Sequence, residues 1–136
     1  MFLGVLFNMD KNEIIREIEK HGELIGNEKI VAVYLFGSVA NGKANALSDI
    51  DVCVVDNGIE WKEKLKIMGM FGDKYDVSFF SDMPAWIKMR VLKGVPIIVN
   101  NKNLLYDISF GALKEYEDFK PLLRERMLRR FGRCTI

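Results

Sequence analysis

Lys29 to Phe36 reads KIVAVYLF and stops at Gly37-Ser38, and from Asp49 the chain reads DIDVCVV. The first run is rich in β-branched and aromatic residues, so it predicts a buried strand. The second alternates acids with aliphatics at its start and predicts another strand. A loop with Asn41, Gly42, Lys43, Asn45 and Ser48 separates them. A chain organised around two such strands must build a sheet and cover it with helices.

The rest of the chain supplies those helices. Asp10 to Glu13 has the form of a capping box, with Met9 and Ile14 placed as a hydrophobic staple. Ile14, Ile15, Ile18 and Ile25 give one apolar stripe, predicting an amphipathic helix over 11–25. Trp61 to Phe71 reads as a second helix, with Trp61, Leu65 and Met68 on one side. Tyr75 to Phe80 (YDVSFF) reads as a third strand. Ser81 or Asp82 would cap the next helix, with Pro84 in its first turn and Gly94-Val95-Pro96 ending it. Pro96 to Asn100 then forms a short strand, entered at a proline and so placed at an edge. Residues 109–131 form a last helical segment, interrupted or kinked at Pro121. The fold class is α/β (α+β): a mixed sheet flanked by helices in one domain over 1–136, with a core of about 10–108 and a C-terminal helical segment from 109.

At 136 residues, 49% of them hydrophobic, there is material for one core. Lys plus Arg (20) nearly cancels Asp plus Glu (19), so no global field draws the chain to a polyanion or a membrane surface. Cys53 and Cys134 have neither metal-ligand spacing nor a disulfide framework and read as reduced thiols. The opening run MFLGVLFNM is too short to span a bilayer and lacks a secretory cleavage site. It is expected to pack on the domain as a strand or arm, in a cytoplasmic protein.

The chemistry concentrates where the two strands meet. Asp49 and Asp51 are one residue apart, so in a strand both point to one face with Cα atoms about 6–7 Å apart. That suits carboxylates converging on two cations about 3.5–4 Å apart, and Mg²⁺ is the hard, oxygen-seeking choice. Asp76, near the start of the third strand, would complete a triad as third ligand or as the base that takes a hydroxyl proton. Glycine at 37 lets the backbone approach a phosphate closely. Ser38 offers a hydroxyl and an N–H to a phosphate oxygen, and Lys43 is the nearest positive charge, with Ser48 closing the same loop.

GSVANGKANALSDIDVCVV resembles the Gly-Ser-x10-Asp-x-Asp signature of the minimal nucleotidyltransferases of the DNA polymerase beta superfamily. YDVSFF carries the third acid where that family has it. WIKMRVLKGVPIIVNN looks like the helix and strand that follow, and YEDFKP (116–121) resembles a common tail segment. The likeness covers roughly residues 10–121. It implies a metal-dependent transfer of AMP from ATP, with Asp49, Asp51 and Asp76 as catalytic metal ligands, two Mg²⁺ ions, and Gly37, Ser38, Lys43 and Ser48 on the nucleotide. It also implies a partner, a HEPN-domain toxin modified on a tyrosine hydroxyl, for which this chain would be the antitoxin. The sequence departs from many relatives in carrying Val39 and Asn41 where they have arginines.

Other readings stay open at this stage. The domain could silence a toxin by masking it, or it could modify a small molecule or an RNA end. An oligomer is also compatible with the sequence. The five arginines of RERMLRRFGR (124–133) are read as a solvated helix end in preference to a nucleic-acid surface. His21 is read as a helix-end residue and Cys53 as a small buried hydrophobe. Trp61, Trp86 and the Phe79–Phe80 pair are read as core. Tyr116 and Asp118 either approach the nucleotide or only anchor the last helix.

Overall fold

The computed structural model describes residues 11–22, 24–40 and 49–132. The opening apolar run, Met9 and Asp10 of the expected staple and cap, Lys43, Ser48 and Cys134 lie outside these residues. Helix α1 spans Lys11–Glu19, strand β1 Ile30–Phe36, the single turn α2 Gly37–Ala40 and strand β2 Ile50–Asp56. Helix α3 (Trp61–Gly69), strand β3 (Tyr75–Phe79), a 3₁₀ turn (Phe80–Asp82), helix α4 (Ala85–Leu92), strand β4 (Val95–Val99) and helix α5 (Lys102–Phe131) follow.

The four strands form one mixed sheet in the order β3-β2-β1-β4. β1 is antiparallel to both β2 and β4, while β2 and β3 run parallel, joined through α3. β4 lies at an edge, as a strand containing Pro96 requires. Helices cover both faces. Ile14 and Ile18 of α1 and Ile67 of α3 pack with Val33, Leu35, Val52 and Val54 on one side. On the other, Val91 of α4 and Ala112 of α5 pack with Tyr34, Cys53, Val55 and Phe80. This two-sided burial is why KIVAVYLF is apolar without alternation.

Several element limits differ from those expected. α1 ends at Glu19 rather than residue 25, and Leu24, not Ile25, enters the core. Gly26 takes a φ of 75°, a turn conformation that the apolar stripe did not reveal. On α3 the buried residue is Ile67, while Trp61, Leu65 and Met68 face outward. Trp61 and Trp86 are exposed at 66% and 43%, so neither is the core residue expected, whereas Phe79 and Phe80 are buried. Pro84, not Ser81 or Asp82, is the N-cap of α4. Ser81 is engaged elsewhere: its hydroxyl and N–H both donate to the buried Asp56 carboxylate, at 2.6 and 3.1 Å. α5 begins at Lys102, capped by the Asn101 side chain, and runs unbroken through Pro121. The ring there gives the carbonyl of Glu117 no N–H partner.

The turn after α1 is closed from a distance by Asn100. Its amide donates to the carbonyls of Leu24 (2.7 Å) and Ile30 (2.9 Å) and accepts from the Gly26 N–H at 2.8 Å. Replacing it by alanine leaves these backbone groups unmatched. Asn100→Ala is therefore expected to cost about 2–3 kcal/mol in urea unfolding at unchanged m-value. A loss under half a kcal/mol, on the order of an ordinary surface change, would show that the turn holds itself.

Candidate active site

The sheet register assembles the acids at one end. Phe36, the last residue of β1, pairs with Asp51, and Asp51 pairs with Asp76 across the parallel β2–β3 ladder. Directly paired residues project to the same face, with backbones about 4.8 Å apart. Ile50 and Val52 point into the α1–α3 side of the core, so alternation turns Asp51 to the face covered by α4 and α5. Tyr75 belongs to the same core as Ile50, which turns Asp76 the same way. The pairing begins without slack, because the Ile50 N–H donates to the Lys74 carbonyl at 3.0 Å. Lys74 in turn pairs with Glu17 of α1 at 3.0 Å, tying the start of β3 to the helix layer.

Asp49 stands one residue ahead of β2, exposed, rather than as its first residue. Asp51 is half-buried and Asp76 exposed. Burial pushes the Asp51 carboxyl above its ordinary value, and the negative charges of Asp76 and then Asp49 add to the push. Asp76 and Asp49 are thus both within electrostatic reach of Asp51, in an arrangement that favours positive charge beside it. Among the described residues, no three His, Cys, Asp or Glu side chains are drawn tightly enough together to enclose a metal ion. The donor set itself is of hard oxygens, the type that Mg²⁺ takes.

Gly37 has a φ of 77°, and a Cβ built there would collide with Oδ2 of Asp51. The glycine is therefore required twice, by its left-handed backbone and by the carboxylate lying against it. Neither demand depends on the close approach of a phosphate that glycine at 37 is expected to allow. Ser38 follows at the start of α2; its side chain, with Lys43 and Ser48, is outside what the structure describes.

Cys53 sits two residues along from Asp51, fully buried, with its thiol pushed up by burial and by the nearby Asp56 charge. It is a core residue beneath the acids, as read from the sequence. His21 lies just beyond α1, its ring 5.5 Å from that of Phe71 on the opposite side of the sheet from the acids. Tyr116 lines a cavity of about 570 Å³ between α4 and α5 together with Trp86, Arg90 and Lys93. Asp118 is exposed and does not line it. No described helix is long and apolar enough to cross a membrane.

Known proteins resemble this chain in sequence or in fold. A protein of Methanocaldococcus jannaschii named "Putative protein adenylyltransferase MJ1547" is 32% identical over 97 residues, covering 71% of this chain and 78% of its own. A crystal structure of a toxin–antitoxin with AMP-PNP superposes with a TM-score of 0.60 at 16% identity, over 88% of this chain and 99% of that one. A complex of a tri-AMPylated Shewanella oneidensis HEPN toxin with an MNT antitoxin gives 0.52 at 16% identity, over 85% and 94%. At that identity the two structures speak to the fold alone. The family described as "Polymerase beta, Nucleotidyltransferase" matches residues 19–103, which hold the glycine-serine turn, Asp49, Asp51, Asp76 and every described strand. The chain belongs to the polymerase beta nucleotidyltransferase family.

Proposed function

We propose that this nucleotidyltransferase moves AMP from ATP to a protein hydroxyl, a tyrosine of a cognate HEPN-domain toxin, and so acts as an antitoxin in the cytoplasm. The observation that carries the catalytic part is the register that sets Asp51 beside Asp76, with Asp49 adding its charge. Asp49, Asp51 and Asp76 would hold Mg²⁺, two ions in the full arrangement. When bound, the metal offsets the triphosphate charge and favours ionisation of the acceptor hydroxyl. Gly37 and Ser38 hold the triphosphate against β2, with Lys43 and Ser48 on the same loop. The hydroxyl oxygen attacks the α-phosphorus, the bond to the β-phosphate oxygen breaks, and pyrophosphate leaves. Asp76 serves as third ligand or as the base that takes the proton. The acceptor class is supported by the relative named as a protein adenylyltransferase and by a similar fold found in a complex that contains an AMPylated toxin.

A second reading is favoured by Val39 and Asn41, which leave the loop without the arginines of many relatives: the chain silences its partner by masking it. Co-expression with a HEPN-domain toxin, followed by intact mass spectrometry of the partner, separates the two. The expected result is addition of AMP to a tyrosine, absent with Asp49→Asn/Asp51→Asn. An unmodified yet silenced partner, bound equally well by both versions, would replace the enzymatic reading with masking.

A further inference from the structure

Gly94 lies in the turn between α4 and β4, far in sequence from every acid, yet it presses on the strand that carries the nucleotide turn. A Cβ there would meet the Leu35 carbonyl oxygen at a distance no real Cβ keeps, and would come within 3.0 Å of both the Phe36 Cβ and the Val91 carbonyl. Its φ is not in the left-handed range, so space alone demands the glycine. Its own N–H donates to the Val91 carbonyl at 2.8 Å, which holds it in place. Two of the three crowding atoms belong to backbone, which cannot swing away as a side chain would.

Leu35 and Phe36 are the last residues of β1, and they lead directly into Gly37. On the far side of Gly37 stands the Asp51 carboxylate, itself paired through Phe36. From Gly94 to Asp51 there is therefore a stack with no spare volume: turn, strand end, glycine turn, carboxylate. We propose that Gly94 is a positioning residue for nucleotidyl transfer, setting the distance between the Gly37-Ser38 turn and Asp51 by allowing the α4–β4 turn to close on the end of β1. This rests on the nucleotidyltransferase reading of the site. An alanine at 94 must displace either the turn or Leu35–Phe36, and displacement of the latter is carried to the catalytic carboxylate. Misplacement of reacting groups by about 1 Å costs on the order of a hundredfold in rate.

The test compares Gly94→Ala with Gly72→Ala and Gly111→Ala, whose added methyls would meet nothing within 4 Å. Transfer of label from ATP to the co-purified partner is measured per folded molecule, with the folded fraction from circular dichroism at each temperature. Binding of Mg²⁺ with a non-hydrolysable ATP analogue is measured by calorimetry. The expected result for Gly94→Ala is a kcat lower by about a hundredfold with a much smaller change in analogue affinity, and wild-type behaviour for the two controls. A kcat per folded molecule equal to wild type would overturn the assignment. So would a variant that folds at no temperature, since Gly94 would then be a requirement of folding rather than of positioning. If the wild type itself neither binds the analogue nor transfers label, the nucleotidyltransferase mechanism falls and this inference with it; an active wild type isolates failure to Gly94.

Discussion

Asp51→Asn is expected to lower nucleotidyl transfer by about a thousandfold or more while raising, not lowering, the melting temperature of the metal-free protein. The activity term follows from removing the only half-buried carboxylate of the three; several kcal/mol of charge stabilisation at the transferring phosphate correspond to about tenfold per 1.4 kcal/mol. The stability term follows from electrostatics. Burial and the charges of Asp76 and Asp49 raise the Asp51 carboxyl from its ordinary value of 3.8. A group whose folded-state pKa is raised binds its proton more tightly when folded. Its stabilising contribution is complete below the ordinary value and is lost as pH climbs through the raised one. The Asp51 contribution to the stability of the metal-free protein should therefore fall as pH rises from about 4, and Asp51→Asn should remove that contribution from the profile. Thermal melts across pH 3–7 with chelator, beside transfer assays with Mg²⁺, check both halves. A variant that melts well below wild type at neutral pH would mean that the carboxylate is a structural acceptor, and the account of the site would fail.

Gly37→Ala should reduce transfer by about a hundredfold and cost about 1–2 kcal/mol of stability from backbone conformation. Gly26→Ala and Gly58→Ala provide the comparison. Those glycines have φ of 75° and 70°, against 77° at Gly37, but open space where a Cβ would go. All three variants carry the same left-handed penalty; only Gly37→Ala also displaces the Asp51 carboxylate. Urea unfolding of the three, with transfer rates normalised to folded protein, separates the backbone cost from the catalytic one. Equal activity in all three would show that Asp51 moves aside without consequence, and that Gly37 serves its turn alone.

The two cores also explain where the sequence misled. WKEKLKIMGM offers apolar residues on more than one side of a helix, and the stripe of Trp61, Leu65 and Met68 was as good a pattern as the one that includes Ile67. Only contact with the sheet selected Ile67 and Phe71 as buried. The stripe that seemed to extend the first helix to Ile25 was broken by a turn that Asn100 holds from the other end of β4. Ser81 looks like a helix cap because it precedes a helix; the buried Asp56 carboxylate claims it instead. In each case a short-range pattern admitted two answers, and a long-range partner chose.

What the sequence determined by itself was the chemistry and its scaffold. Residue types and alternation set Asp51 in a strand with one face for its side chain, and Gly37-Ser38 before Asp49 and Asp51 marked the family, because strand geometry leaves little freedom over so short a span. What only the tertiary structure decided was the closeness of parts distant in the chain: Asp76 opposite Asp51, the carboxylate filling the space beside Gly37, and Gly94 against the end of β1. Those contacts depend on how helices and strands pack to fill volume, and close packing is a property of all the elements together.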